Sequence, residues 1–316
     1  MATQETRILD DIITSRRAMM LGGSALATLA LTGIGKAQTT TALNDNDILN
    51  FALNLEYLEA QFYTLATSGK TIDQMGIGIG AGTSATGGGT VTVKPTGVAS
   101  CLVPFSSSIV SAYANETATE ERKHVSFLRT ALGSNTVAMP NLDLYNSFIA
   151  LGSKIGVANY DPFMSDLFFL LGAYIFEDVG VTAYHGAAGL ISDSANLIPA
   201  VGIHAVEAYH AGLVRTTLYA MDQANPALGI ASLTQKISAV RNSADGSTTV
   251  DDIGLSQTMV SLNGSSATFT SSTIVNADSN SIGFARTTQQ VLSIVTVGAA
   301  NNQGGFFPQG LNGNIK

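Results

Sequence analysis

The sequence carries the same helix-pair pattern twice, and each pair sets two glutamates at matching places. The first helix is expected from about Asn44 to Ser68, with Asn44 or Asp45 as N-cap and Gly69 after its end. It holds Glu56, with Tyr63 seven residues on. The second is expected from near Ser106, after Pro104, to Leu132 before Gly133, and holds Glu121-x-x-His124. The third is expected to open at Asp161-Pro162, an N-cap followed by proline at the first helical position, and to run to about Leu190. It holds Glu177, with Tyr184 again seven on. The fourth is expected from about Ser194 to Gln223, ahead of Asn225-Pro226, and holds Glu207-x-x-His210. A spacing of three keeps Glu and His on one helix face, so both can grip one ion. A spacing of seven is two turns, so each tyrosine shares its glutamate's stripe.

The repeat decides between neighbouring glutamates. Glu59 could stand in for Glu56, but its counterpart in the third helix is Gly180. Glu120 could stand in for Glu121, but its counterpart in the fourth is Val206. The expected metal ligands are therefore Glu56, Glu121, His124, Glu177, Glu207 and His210. Four carboxylates converging inside an apolar bundle cannot all stay ionised unaided. Two divalent cations balance their charge, and two imidazoles complete a dimetal site. Oxygen and imidazole ligands without thiolate suit iron or manganese. Calcium and magnesium do not select histidine, and zinc offers no redox chemistry. The competing reading is four ordinary surface glutamates on amphipathic helices. With only 8 Glu in the whole chain, surface glutamate is otherwise nearly absent, which counts against it. Tyr63 and Tyr184 are candidate catalytic residues: redox-active, hydrogen-bonded to the ligands, or core fillers. Arg129 and Arg215 each follow their histidine by five residues, point away from it, and suit supporting roles. His204 suits a supporting or satisfied polar group, His185 should point off the metal stripe, and Cys101 suits a buried small hydrophobe.

Composition narrows the rest. Charged residues are 12% of the 316, about half the usual share, while 45% are hydrophobic, so the chain is globular rather than disordered. A net charge of −8 argues against a phosphate-binding surface and a nucleic-acid partner. One cysteine excludes a disulfide framework, a cysteine zinc site and a cysteine-ligated iron–sulfur cluster. Residues 1–37 suit an export signal: Arg16-Arg17 precedes a mildly apolar run from Ala18 to Ile34, with Gly35 and Ala37 at a cleavage-site spacing. An uncleaved anchor is the alternative, though that run is marginal for spanning. The expected location is periplasmic or extracellular. No stable membrane span remains after cleavage, since Asp166, Glu177, Asp178 and His185 interrupt the apolar stretch Phe163–Ile191. Residues 38–225 are expected to form the bundle, with a Gly/Thr/Ser-rich insertion at 69–103 that includes a short strand at Thr90–Val93. The connection Gly133–Tyr160 is long enough to cross the length of a bundle. Residues 226–316, rich in Ser, Thr, Asn and Gly, are expected as a loop-rich appendage with one short helix, Thr287–Val297, and an aromatic-anchored end at Gly304–Pro308.

At these motifs the chain resembles the ferritin-like domain family that includes the plant desiccation-related proteins and exported bacterial relatives. The matching text is Leu53–Ala60, Glu121–Arg129 and Phe176–Ala188, then Ala285–Leu292 and Gly304–Gly310. It covers nearly all of the mature chain, and the 69–103 insertion matches least well. The resemblance implies an all-α, ferritin-like four-helix bundle with a long crossover between the second and third helices. It implies two divalent transition-metal ions, iron or manganese, and a stress-response role. Peroxide or dioxygen is the expected small-molecule oxidant, and a peroxidase- or catalase-like oxidoreductase is one activity such a site supports. The rubrerythrin Cys-x-x-Cys domain is missing, and the insertion and tail argue against a storage cage. The rival is a non-catalytic structural or protective protein with a structural or empty metal site. A third reading is metal storage or delivery. A homo-oligomer is left open.

Overall fold

The computed structural model describes residues 43–261, 268–299 and 301–316. The expected export signal, residues 1–37, lies outside the described residues. Four long helices form the bundle: α1 (Asp45–Ser68), α2 (Ser108–Leu132), α4 (Asp166–Ala188) and α5 (Ser194–Ala224). α1 packs along α2 and α4 along α5, and α1–α4 and α2–α5 contacts join the two pairs.

The ends of α1 follow from its sequence. Asn44 and Asp47 form a reciprocal capping box, and Gly69 closes the helix at φ 62°, a left-handed conformation costly for other residues. From Ile48 to Ala66 almost every α1 side chain is buried, so the helix is a central one. α4 is its counterpart. It is long and apolar enough to cross a membrane by length and composition, yet 83% of its most apolar window is buried inside the protein. Phe62 of α1 sits among Tyr63, Phe148, Phe163, Phe169 and Phe176, with ring centroids 5.1–5.8 Å away, and these rings fill one end of the bundle.

α4 begins later than expected. Asp161 does not cap it; its Oδ1 accepts from Phe163 N and its Oδ2 pairs with Lys94 at 2.9 Å, a local turn that competes with helix. The N-cap is Ser165. The crossover from α2 to α4 holds an unforeseen helix, α3 (Asn146–Ile155), which buries Phe148, Leu151 and Ile155. The insertion pairs with it: β1 (Val91–Thr92) runs parallel to β2 (Leu142–Asp143), matching Val91 with Leu142.

The C-terminal segment holds more regular structure than its composition suggests. It contains α6 (Ile230–Ala244), an antiparallel hairpin of β3 (Gln257–Ser261) and β4 (Thr268–Ser272), and α7 (Thr288–Val295). Its end returns to α1, where the Asn54 side chain accepts from Asn312 N at 3.0 Å and donates to Asn312 O at 2.9 Å. Phe306 packs edge-on against Phe176, 4.9 Å away.

A buried network of charges fastens this segment to α4 and α5. Arg241 meets Asp178 at 2.9 Å and Asp252 at 2.6 Å, and Arg286 meets Asp251 at 2.7 Å and Asp252 at 3.2 Å. α4 lets the chain approach at Gly186, where a Cβ would fall 1.9 Å from Arg286 O.

Candidate metal centre

The two Glu-x-x-His segments place their side chains in the bundle interior, where α1 and α4 add one glutamate each. The structure brings all six expected ligands together in two overlapping groups. One is Glu56, Glu121, His124 and Glu207; the other is Glu121, Glu177, Glu207 and His210. Within each group the donor atoms lie within 4.8 Å of one another. Glu121 and Glu207 belong to both, so they can bridge two ions, with Glu56 and His124 terminal on one and Glu177 and His210 on the other.

The imidazoles aim one nitrogen each into the cluster. His124 Nδ1 lies 3.2 Å from Glu56 Oε2, 3.4 Å from Glu207 Oε1 and 3.6 Å from Glu121 Oε2. His210 Nδ1 lies 3.0 Å from Glu121 Oε1 and 3.6 Å from Glu177 Oε2. All four glutamates are at most 2% exposed and His210 is 2% exposed; His124, at 8%, is the ligand nearest solvent.

The fit to cations rests on unsatisfied atoms. Glu56 Oε2, Glu177 Oε2, both oxygens of Glu121 and of Glu207, and Nδ1 of both histidines are buried without a hydrogen-bond partner. An orphaned buried polar atom costs about 1–3 kcal/mol, and proteins rarely leave several in one place. Two divalent ions would satisfy these acceptors and balance the four carboxylate charges.

Electrostatics point the same way. Burial, with Glu121 and Glu207 beside it, pushes Glu56 up to about 8 despite His124. Burial also raises Glu177 and Glu207 above the usual carboxylate range. Burial opposes ionisation of Glu121 too, but the two imidazoles pull it down to about 2. Burial disfavours the imidazolium of His210, yet Glu177 and Glu121 lift it to about 11. Burial is likewise outweighed at His124, where Glu56 leads the groups that raise it far above the ordinary range. Without metal the centre holds protons tightly, as a cation-binding site does.

Tyr63 and Tyr184 cross between the halves. Tyr63 Oη of α1 donates to Glu177 Oε1 of α4, and Tyr184 Oη of α4 donates to Glu56 Oε1 of α1. Each bond fixes one carboxylate oxygen and leaves Oε2 facing the cluster. Burial and the adjacent glutamates hold both phenols well above their usual range, so both stay donors. They touch ligands and act as positioning residues.

Two glutamates passed over in the sequence lie against the centre. Glu120, a third exposed at its side chain, places Oε2 2.7 Å from His210 Nε2 and so turns Nδ1 inward. Its place beside Glu121 was the available signal. Glu59 is 5% exposed, and burial with Glu207, Glu121 and Glu177 nearby keeps it well above the usual carboxylate range, as a neutral acid. It lines a cavity of about 20 Å3 with Leu55, Leu58, Phe176 and Val179, room for about one water molecule. Gly180, its counterpart, makes the space: a Cβ there would lie 2.5 Å from Glu207 Oε2 and 3.4 Å from Glu59 Oε1.

The repeat extends to the arginines. Arg129 Nη1 donates to Tyr57 Oη at 2.5 Å and to Gly80 O at 2.7 Å, and its Nη2 to Ser84 O at 2.8 Å. Arg215 Nη1 donates to Asp178 at 2.8 Å, and its Nη2 to Ile253 O at 2.9 Å. Tyr57 follows Glu56 and Asp178 follows Glu177. Each arginine thus ties one non-bundle segment, the insertion or the C-terminal part, to the residue beside a ligand. Cys101 is buried, and burial pushes its thiol up to about 11, so it is an inert filler.

Residues 44–220 match the model of the ferritin-like domain. The chain belongs to the ferritin-like domain family. It is of the desiccation-related type, being 30% identical over 278 residues to desiccation-related protein PCC13-62 of Craterostigma plantagineum, across 85% of this chain and 83% of that one. It is also 26% identical over 279 residues to ferritin-like catalase Nec2 of Nesocodon mauritianus, across 86% and 84% of the two chains. No solved structure matches it. Membership in the ferritin-like family and the buried carboxylate–histidine cluster together fit a dimetal protein.

Proposed function

We propose that this is an exported dimetal-carboxylate protein that breaks down hydrogen peroxide. The observation that carries the reading is the pair of four-donor groups sharing Glu121 and Glu207, with eight buried donor atoms unsatisfied. The similarity to a protein named a ferritin-like catalase supports peroxide over dioxygen as the substrate.

Glu56 and His124 would hold one ion, Glu177 and His210 the other, and Glu121 and Glu207 would bridge them. The donor set suits iron or manganese, and two such ions would supply the paired one-electron changes by which one peroxide is reduced to water while a second, the reductant, is oxidised to dioxygen. Tyr63 and Tyr184 keep the terminal carboxylates oriented, and Glu120 orients His210. Glu59, neutral through burial and its neighbouring carboxylates, stands ready to give a proton from its carboxyl group and take it back. The burial of the ligands keeps bulk water away from the centre. His124, the least buried ligand, marks the side open to exchange.

The test is oxygen evolution from hydrogen peroxide by manganese- or iron-loaded protein. The reading predicts turnover that Glu207→Ala abolishes; loaded protein that evolves no oxygen contradicts it. A second reading, a non-catalytic protective protein, is favoured by the closed surroundings of the centre and by the desiccation-related relative. It predicts metal-dependent thermal stabilisation with no peroxide consumption. Export rests on Arg16-Arg17, and retention of an Arg16→Lys/Arg17→Lys variant inside the cell is the expected outcome.

A further inference from the structure

The protein has four histidines, and they occur as two pairs. His124 and His210 face the dimetal centre. His185 of α4 and His204 of α5 form the second pair, with ring centroids 5.9 Å apart. They line a cavity of about 260 Å3 between α4, α5 and the C-terminal segment, bounded by Ile274 and Asn276. The small residues Ala208 and Gly212 on α5 leave this space open.

The two rings are set for coordination. His185 Nδ1 lies 3.1 Å from Phe284 O. A carbonyl only accepts, so Nδ1 is the donor in this contact and Nε2 is the nitrogen left to face a metal. A backbone carbonyl on the far nitrogen is how proteins fix a metal-binding imidazole. Burial first, and the neighbouring His185 second, hold His204 below the usual histidine range, which favours the neutral ring that binds metal. The other charged groups lining the cavity, Asp178 and Arg215, are paired with each other at 2.8 Å.

We propose that His185 and His204 bind one late transition-metal ion, of the copper or zinc class, with water completing its coordination. The spacing fits. An ion about 2.1 Å from each imidazole nitrogen sits about 3.2 Å from each ring centroid, which allows centroids up to about 6.4 Å apart. The observed 5.9 Å falls inside that reach. The cavity has room for several waters beside an ion and opens a path for it to enter. Imidazole ligands without carboxylate or thiolate suit copper and zinc rather than calcium or magnesium. This site is separate from the dimetal centre and stands whether or not that centre turns over peroxide.

The experiment uses the full mature protein with manganese loaded first, then titrated with Cu2+ and followed by calorimetry and electron paramagnetic resonance. One copper per chain beyond the manganese is expected, with hyperfine structure from two nitrogens. His204→Leu and His185→Gln should each weaken copper binding by at least about tenfold while manganese content stays unchanged. No additional copper, a wild-type spectrum without nitrogen hyperfine structure, or binding that neither substitution alters overturns the proposal. The wild-type spectrum, recorded with the manganese content shown to be unchanged, decides the matter even if a variant misfolds.

Discussion

Replacing Glu56 by glutamine separates what this carboxylate does for the bare fold from what it does for bound metal. With its pKa near 8, Glu56 of the metal-free protein is neutral in roughly nine of ten molecules at pH 7. Glutamine has nearly the same shape and still accepts from Tyr184. The metal-free variant should therefore match the wild type to within about 1 kcal/mol only near pH 5 and below, where the unfolded chain gains little from ionising the same carboxyl. The pH dependence separates them. A carboxyl raised from 4.5 to about 8 contributes stability that is complete below pH 4.5 and is lost as pH climbs through 8. That loss is on the order of 5 kcal/mol for a fully buried group, and the glutamine variant lacks it. Metal-free wild type should accordingly be the less stable of the two, by about 3 kcal/mol at pH 7 and by nearly the full amount at pH 9. With metal at pH 7 the gap closes, because binding needs the ionised carboxylate. Metal at 100 times its dissociation constant stabilises wild type by about 2.7 kcal/mol, and a hundredfold weaker variant loses nearly all of it. At about 2–4 °C per kcal/mol, the metal-induced rise in Tm should shrink by about 5–10 °C. Thermal scans with and without Mn2+ at pH 5, 7 and 9 read all three effects. A variant that keeps the full metal-induced rise, or that is several kcal/mol weaker without metal at pH 7, refutes the reasoning.

Gly180→Ala puts a methyl 2.5 Å from Glu207 Oε2, so that carboxylate must shift; metal affinity should fall by about 10–100-fold in chelator competition, with helix content by circular dichroism unchanged. Tyr63→Phe strands Glu177 Oε1, and chelator competition should again show about 10–100-fold weaker binding with two ions per chain still reached at saturation. Unchanged affinity with lost turnover would instead assign Tyr63 a redox role. Arg215→Met leaves Ile253 O with only a long contact from Tyr174 Oη, at 3.5 Å, and removes one of the two arginines beside buried Asp178. It should cost about 3–5 kcal/mol, seen as a fall in Tm of about 6–20 °C, with metal content unchanged.

The site was more legible in the sequence than the fold around it. Glu56, Glu121, His124, Glu177, Glu207 and His210 recur at helical spacings in a chain with only 8 glutamates, so their convergence showed in the spacing. The ends of α1 were legible because Asn44 and Gly69 act through their own side chain and backbone. The start of α4 was not. Asp161-Pro162 has the form of a helix start, but Lys94, 67 residues away, holds the aspartate in a turn. α6 was hidden because its buried stripe is Ile230, Thr234, Ile237, Ser238 and Arg241. Three of these five are polar and become core residues only through partners elsewhere: Asp178 and Asp252 for Arg241, and Leu255 N for Thr234. The roles of Glu59 and Glu120 were missed for a related reason. Neither lies on the repeat, and each acquires its place from another helix, Glu59 from the gap at Gly180 and Glu120 from His210.

Metal content is the most direct measure of the central claim. Protein loaded with manganese or iron and freed of excess should hold two ions per chain by mass spectrometry, and Glu207→Ala, which removes a ligand common to both groups, should hold fewer than one. A wild-type content near zero, or one that Glu207→Ala leaves unchanged, contradicts the dimetal account.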